Sequence, residues 1–529
     1  MTTASSSPAT DADTAIEHAD SPTARTADET APATSTRRRA VIAGLAAAAA
    51  TLIPSRARAQ GIKRPLPRSP KPTPRIPDEV PVAPVEWASD SIRLLRRITY
   101  AVTDADVAAA RKYGYRGYLE RQLDYKNIDD SAVNAFVAAR YPLLSQTTEQ
   151  LYVAETYTAR YQLAESTLYR AAFSNRQLYE RMVEFWSDHF NISIAKVQYL
   201  KLVDDRDVIR KHALGNFRDL LYASAKSGAM MQYLDQNQSR SGAPNQNYAR
   251  EIMELHTLGV DGGYTQNDVA ELSRVLTGWT IAGRGDFYFN PALHDRGAKT
   301  LLGVTVPAIT TATAASIKEG EQIIDLLLAH PSTARFLSTK MLRWLLSYEP
   351  TAAQVTAVAD VYTRTGGDIK EMVRTSLTSS WLRDAPMKFK RPFHFLASSL
   401  RVMYPAVTSL AGQNAQLVAV GQPLFMYETP DGYPDKVEYW GGNIMPRWNY
   451  ASTITALAAG EVIPDIAGFM RGNSADSTIA AIDTRIFGSE MDPALRASLT
   501  TYLKAAAYSA ARVRETLALA LSANSFQWY

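Results

Sequence analysis

A chain of 529 residues, 46% of them apolar and 21% charged, is long and apolar enough to bury a large core. Its formal charge of +4 is spread along the sequence without the dense basic face of a nucleic-acid binder, so no nucleic-acid partner is expected. Cysteine is absent, which excludes disulfides, thiolate metal sites and a cysteine nucleophile.

Residues 1–35 are rich in Ser, Thr, Ala and Asp and hold little to bury, which predicts a disordered leader. Arg37, Arg38 and Arg39 then precede a weakly apolar run, Ala40–Ile53, and Ala57-Arg58-Ala59 before Gln60 fits a small-residue cleavage site. The run is shorter than the ~20 residues needed to span a bilayer. Paired arginines ahead of an alanine-rich core predict a twin-arginine export signal, so that 1–59 is a leader plus signal peptide. The expected address is the periplasm or the extracellular space, with no transmembrane segment in the mature chain. Eight prolines between Gln60 and Pro84 predict an extended linker over 60–87.

From Ala88 the periodicity is helical. Ile92, Leu95 and Ile98 make one stripe, and Thr103 to Asp106 starts the next helix, which Gly114 breaks. Gln150–Phe173 is a long tyrosine-rich helix, and Ser174 with Gln177 predicts a capping box for its successor. In that successor Leu178, Met182, Phe185 and His189 share an apolar face, with Arg181, Glu184 and Asp188 on the polar side. Residues 203–226 read as one helix. Asn247–Thr280 reads as helix, glycine stop at Gly259, reversal at Gly262-Gly263, and a second helix capped by Thr265 and Asp268 and ending near Trp279. Phe287–Phe289 and Thr300–Val304 are β-prone runs that predict a small hairpin carrying His294, Asp295 and Lys299.

Helices are expected again over 317–329, 332–347, 351–365, 367–382 and 392–404. The segment 421–449 holds four prolines, four glycines, Trp440 and Trp448, and reads as a structured loop burying both tryptophans. Four further helices lie near 450–460, 477–488, 493–508 and 510–522. The whole of 88–529 is therefore predicted to be a single large, mainly α, compact multi-helix globular domain with a small β-hairpin excursion near 285–304.

The segments RLLRRITYAVT (93–103), FWSDHFNIS (185–193), AREIMELHTLGVDGGYTQNDVAELSRVLTGW (249–279), HDRGAKTLLG (294–303), KRPFHFLASSLR (390–401), GQPLF (421–425) and SFQ (525–527) resemble a bacterial secreted domain-of-unknown-function family, DUF-1800. The resemblance runs from about Ala88 to Gln527. It implies an exported protein whose family is often encoded beside a secreted phosphatase- or sulfatase-like partner, and it supplies no reaction. In the proline loop this chain has Asp431-Gly432-Tyr433-Pro434 where relatives carry a Gly-Trp step.

Three groups carry the candidate chemistry: Asp188 with His189, the Arg250, Glu251, Glu254 and His256 set, and His294 with Asp295. Imidazole and carboxylate together suit a divalent metal, and His189, His294 and Asp295 are the candidate ligands. Glu251 or Glu254 would act as general base or ligand, His256 and His294 as ligands or proton carriers, Asp295 as orienter, and Arg250 would hold an anionic substrate group. No serine elbow, P-loop or dinucleotide fingerprint is present. The expected function is a metal-assisted hydrolase of envelope or extracellular polymer, with a polysaccharide as candidate ligand. The alternative is a non-catalytic scaffold or accessory protein whose charged residues form a buried ion network.

Overall fold

The computed structural model describes residues 88–442 and 444–529. The expected leader, export signal and proline linker lie outside them.

The first helix, α1 (Ala88–Ile98), buries Ile92, Leu95 and Ile98 at 3% exposure or less. It leads through a tight connection into α2 (Asp104–Leu123). Thr103 caps α2 by accepting from Asp106 N, while the Asp106 carboxylate accepts from Thr103 N, the reciprocal pattern expected of a capping box. Gly114 bends α2 with φ +70°.

The helix that carries the site, α3 (Gln177–His189), starts differently from its sequence signature. Gln177 is fully buried, and its side chain accepts from Tyr100 N at 2.9 Å and donates to Ala171 O and Ser174 O instead of capping. A tertiary partner has displaced the local one. The polar side of α3 is also not solvated. Arg181 is 1% exposed and donates to Glu184 at 2.9 Å, and Arg391 donates to both Glu184 and Asp188.

The single helix expected over 203–226 is divided. Leu200–Asp204 is α-helical, Asp205–Arg210 forms a π-helical turn, and the helix resumes at Phe217–Ala225. Within the π turn Arg210 reaches both Asp205 and Glu180, a buried triad spanning two elements. A second π turn, Glu254–Leu258, closes α4 (Gln246–Met253). The reversal through Gly259 and Gly263, both at positive φ, then feeds α5 (Gln266–Val275), with Thr265 and Asp268 forming the capping box.

Two hairpins follow instead of one. β1 (Trp279–Ala282) pairs antiparallel with β2 (Asp286–Phe289), and β3 (Lys299–Leu301) with β4 (Val304–Val306). Each β-prone run pairs with its nearest neighbour across a glycine turn, at Gly283–Gly285 and at Leu302-Gly303, because a short loop closes at least entropic cost. Trp279 therefore opens a strand.

The later helices match the periodicity closely: Ile317–Ala329, α6 (Pro331–Leu345), Ala352–Thr365, Ile369–Ser376, Ser379–Asp384 and α7 (Pro392–Met403). Ile444–Ala456, α8 (Ala475–Phe487), Pro493–Lys504 and Ala510–Ser522 complete the set. Trp440 is buried, but Trp448 is 44% exposed with its indole N–H on Ser522 O, so only one of the two tryptophans anchors the loop.

The apolar interior falls into two clusters. One gathers α1, α3, α4, α5 and α6; the other gathers residues 133–173, α7 and the helices after 450. Arg181 touches both, stacking over Trp344 of the first at 4.4 Å and Tyr100 of the second at 5.3 Å. Among the described residues no helix is long and apolar enough to cross a membrane.

Candidate functional site

The last residue of α3, His189, is 1% exposed and ringed by Phe185, Trp186, Phe190, Phe217 and Phe336. Its Nε2 lies 3.3 Å from His256 O, and its Nδ1 lies 3.0 Å from Lys340 Nζ. A carbonyl only accepts, so Nε2 carries the hydrogen and Nδ1 presents its lone pair to the Lys340 amine. Burial pushes the imidazolium well below the histidine range, and the charge of Lys340 adds to the effect. His189 is thus a neutral acceptor for a lysine.

The facing wall is α4 with its π turn. Such a turn is an α-helix holding one surplus residue, and Thr257 Oγ1 donates to Ile252 O five residues back at 2.7 Å. The turn directs His256 inward, 2% exposed and 4.9 Å in ring separation from Phe190. Its Nε2 is buried without a hydrogen-bond partner. Burial, with Lys340 as second cause, pulls its pKa down to about 3. Glu251 and Glu254, on the outer side, are half-buried. Tyr264 donates to Glu254 Oε2 at 3.1 Å. Burial raises the Glu251 carboxyl, Glu254 and Asp431 raise it further, and Arg250 opposes them.

Lys340 comes from α6 and is partly buried. Desolvation lowers it to about 8 against the opposing pull of Asp188 and Asp431. Asp431 is exposed at the tip of the proline loop, and its charge acts on Lys340, Glu251 and Tyr233 alike. The loop is pinned across the end of α3. Asn191 donates to Tyr427 O and Thr429 O, Ile194 N donates to Phe425 O, and Tyr433 donates to Pro423 O. Gly432, at φ +76°, approaches so closely that a Cβ there would stand 2.3 Å from Asp188 O. Four separate segments therefore converge: the end of α3, the π turn, α6 and the loop.

Of the residues singled out in the sequence, His189, Glu251, Glu254 and His256 meet here. Arg250 lies alongside, donating to Gln266 at 2.8 Å. His294 and Asp295 do not join them. Asp295 receives Arg274 through both Nε and Nη2 at 3.2 and 3.1 Å, at the other end of α5 from Gln266. Eight residues of helix put those ends ~12 Å apart. His294, 3% exposed, has Nδ1 2.8 Å from Thr277 O; its Nε2 lies 3.2 Å from Glu319 Oε2 without a hydrogen bond, and that oxygen accepts from Lys299 at 2.8 Å. Lys299 thus closes its loop on an acid.

The candidate metal ligands are consequently engaged with protein groups. Both nitrogens of His189 face protein partners, His294 sits between Thr277 and Glu319, and Asp295 is held by an arginine. Among the described residues no group of three or more His, Asp or Glu side chains is placed to hold a metal ion. The arrangement does not fit a metal carried by His189, His294 and Asp295 together.

Lys340 and Asp431 were missed in the sequence. For Lys340 the signal existed: Phe336, Leu337, Lys340, Met341 and Trp344 recur at helical spacing, so a lysine stands on the buried stripe of α6. Asp431 gave only its place in a loop dense in proline and glycine. Beside this cluster, a cavity of ≈ 40 Å³ opens against Glu184, Asp188, Arg391 and Tyr433, space for a few waters.

No curated protein and no solved structure matches the chain. The family model described as protein of unknown function (DUF1800) matches residues 93–528, nearly all of the described body. Its span takes in every element that builds the site, from α3 to the proline loop. The chain belongs to the DUF1800 family.

Proposed function

We propose that this chain is an exported hydrolase of envelope or extracellular polymer working by general acid–base chemistry at the Glu251–Lys340 site. The observation that supports it is a half-buried carboxyl raised by burial and by neighbouring acids and a half-buried lysine lowered to about 8, both acted on by the exposed Asp431. Groups pushed in opposite directions at one cleft are how one site holds an acid and a base near neutral pH. Glu251 would give its proton to the leaving group while Glu254, oriented by Tyr264, takes one from the attacking water. Lys340, steadied by neutral His189, would stabilise the negative charge that develops between them. The export signal expected from the sequence and a polysaccharide ligand would fit this reading, and a co-exported phosphatase- or sulfatase-like partner would act beside it.

The test is release of soluble fragments from a panel of insoluble envelope polymers by the mature chain. Glu251→Gln should lower release by about 10²–10⁴-fold while leaving unfolding free energy within ~0.5 kcal/mol. Wild-type release from Glu251→Gln would refute the assignment. The rival reading, a non-catalytic scaffold, draws on the buried Arg181, Glu184, Arg391 and Asp188 group, which ties the two apolar clusters together. It requires that no polymer be cleaved and that site variants act only through stability.

A further inference from the structure

Away from the proposed site, a cavity of ≈ 30 Å³ lies where α1, the end of α8, residue 390 and the last residues of the chain meet. Arg96, Lys390 and Ser525 line it together with the rings of Phe487, Phe526 and Trp528. Lys390 is 5% exposed, with Nζ 3.7 Å from the centre of the Phe526 ring. The charges acting on it are those of Arg96 and Arg447; no acid is among them. Arg447 is fully buried, donates to Gln527 Oε1 and to Lys390 O, and keeps its Nε without a partner. Arg96 makes one long contact to Phe487 O at 3.4 Å, and its nearest acid, Glu490, is 3.9 Å away. Ser525 Oγ is buried with no partner.

Two guanidinium cations, Arg96 and Arg447, and the Lys390 amine thus have one distant carboxylate among them beside a small, partly open space, and a hydroxyl with an unused donor looks into the same space. Burying a charge is costly unless an opposite charge compensates it. The compensation missing from the protein is one negative charge. The cavity has the size of a monatomic ion or a terminal carboxylate, not of a phosphate ester.

We propose that this cavity is a binding site for a small monovalent anion, a halide or the carboxylate end of a small acid, held by Lys390, Arg96 and the Ser525 hydroxyl. Binding would charge Lys390 and tie the C-terminal residues to α1. The site is independent of the hydrolase reading.

The test is thermal unfolding of the full mature chain in sodium sulfate, with chloride or formate substituted at constant ionic strength. Anion at a hundredfold excess over its Kd should raise the folding equilibrium constant roughly a hundredfold in the wild type. Lys390→Met should fold and show no such response. A stronger effect of chloride identifies an inorganic ligand, and a stronger effect of formate a carboxylate. Equal responses of wild type and variant overturn the proposal. Should Lys390→Met fail to fold, crystals of the wild type and Ser525→Ala soaked in bromide decide it. An anomalous peak between Lys390 and Arg96, weakened in the serine variant, supports the site; no peak there, or bromide only at exposed lysines as an adventitious ion, overturns it.

Discussion

The two ends of α5 support clusters of ionisable groups assembled on opposite terms. At its C-terminal end each buried charge has a partner of opposite sign: Lys299 meets Glu319, and Arg274 meets Asp295 and Glu271. At its N-terminal end Asp431 acts on both Glu251 and Lys340, Asp188 also pulls on that lysine, and the lysine leans on a neutral imidazole. The first arrangement is closed and resembles a staple holding the hairpins to α5. The second leaves one carboxyl, Glu251, and one amine, Lys340, displaced from their ordinary protonation, both only half-buried. Similar residue types serve cohesion in one place and, under the proposed function, reactivity in the other, and the difference lies in the pairing.

The largest effect should come from breaking the closed cluster. Lys299→Met leaves Glu319 facing His294 without its ammonium, and should cost about 3–5 kcal/mol, read by urea unfolding. A loss under ~1 kcal/mol would mean that this cluster is as loosely held as a surface pair. Next is Gly432→Ala, which places a Cβ against Asp188 O at a positive φ. A cost of about 1–3 kcal/mol, with faster proteolysis inside 421–436, would show that the loop is clamped; unchanged proteolysis would argue against it.

The pH dependence sharpens the contrast further. His256 has a folded pKa of about 3 against 6.5 unfolded, so the unfolded chain takes up the proton first as the medium is acidified. Its contribution is complete above pH 6.5 and drains away between there and pH 3. The slope is about 1.4 kcal/mol per pH unit. His256→Gln should remove that slope, and the difference between variant and wild type isolates it from the opposite contribution of Glu251. A difference that does not change with pH would place a charged imidazole in the core. The smallest effect belongs to Arg250→Ala. Its hydrogen bond to Gln266 is exposed, and the loss should stay within ~0.5 kcal/mol.

What could be read in the chain beforehand was whatever is local. Thr103 with Asp106, Thr265 with Asp268, and the glycine stop at Gly259 each depend on residues within a few positions; both capping boxes formed, and Gly259 ends its helix at positive φ with an extended ψ of 164°. Ser174 with Gln177 has the same signature and failed, because Tyr100 claimed the glutamine from 77 residues away. His189 was visible as an imidazole on an apolar helix face, and Glu251, Glu254 and His256 as ionisable groups crowded at one helix end. Their convergence depended on Lys340 and Asp431, set by packing between elements 90 to 250 positions distant, which periodicity does not report. The separation of His294 from Glu254 was hidden for the same reason. It follows from which strand each β-prone run chose.

The π turn at Glu254–Leu258 makes this part of the molecule unusually sensitive to length. Removing a single residue from it would let the ladder heal into ordinary α geometry, which favours the helix taken alone. Everything downstream would be turned by about 100°, carrying the imidazole of His256 off Phe190 and the reversal at Gly259 away from Phe336. A shorter chain would gain local regularity and lose its alignment with α6, so the irregular turn is kept by what it points at.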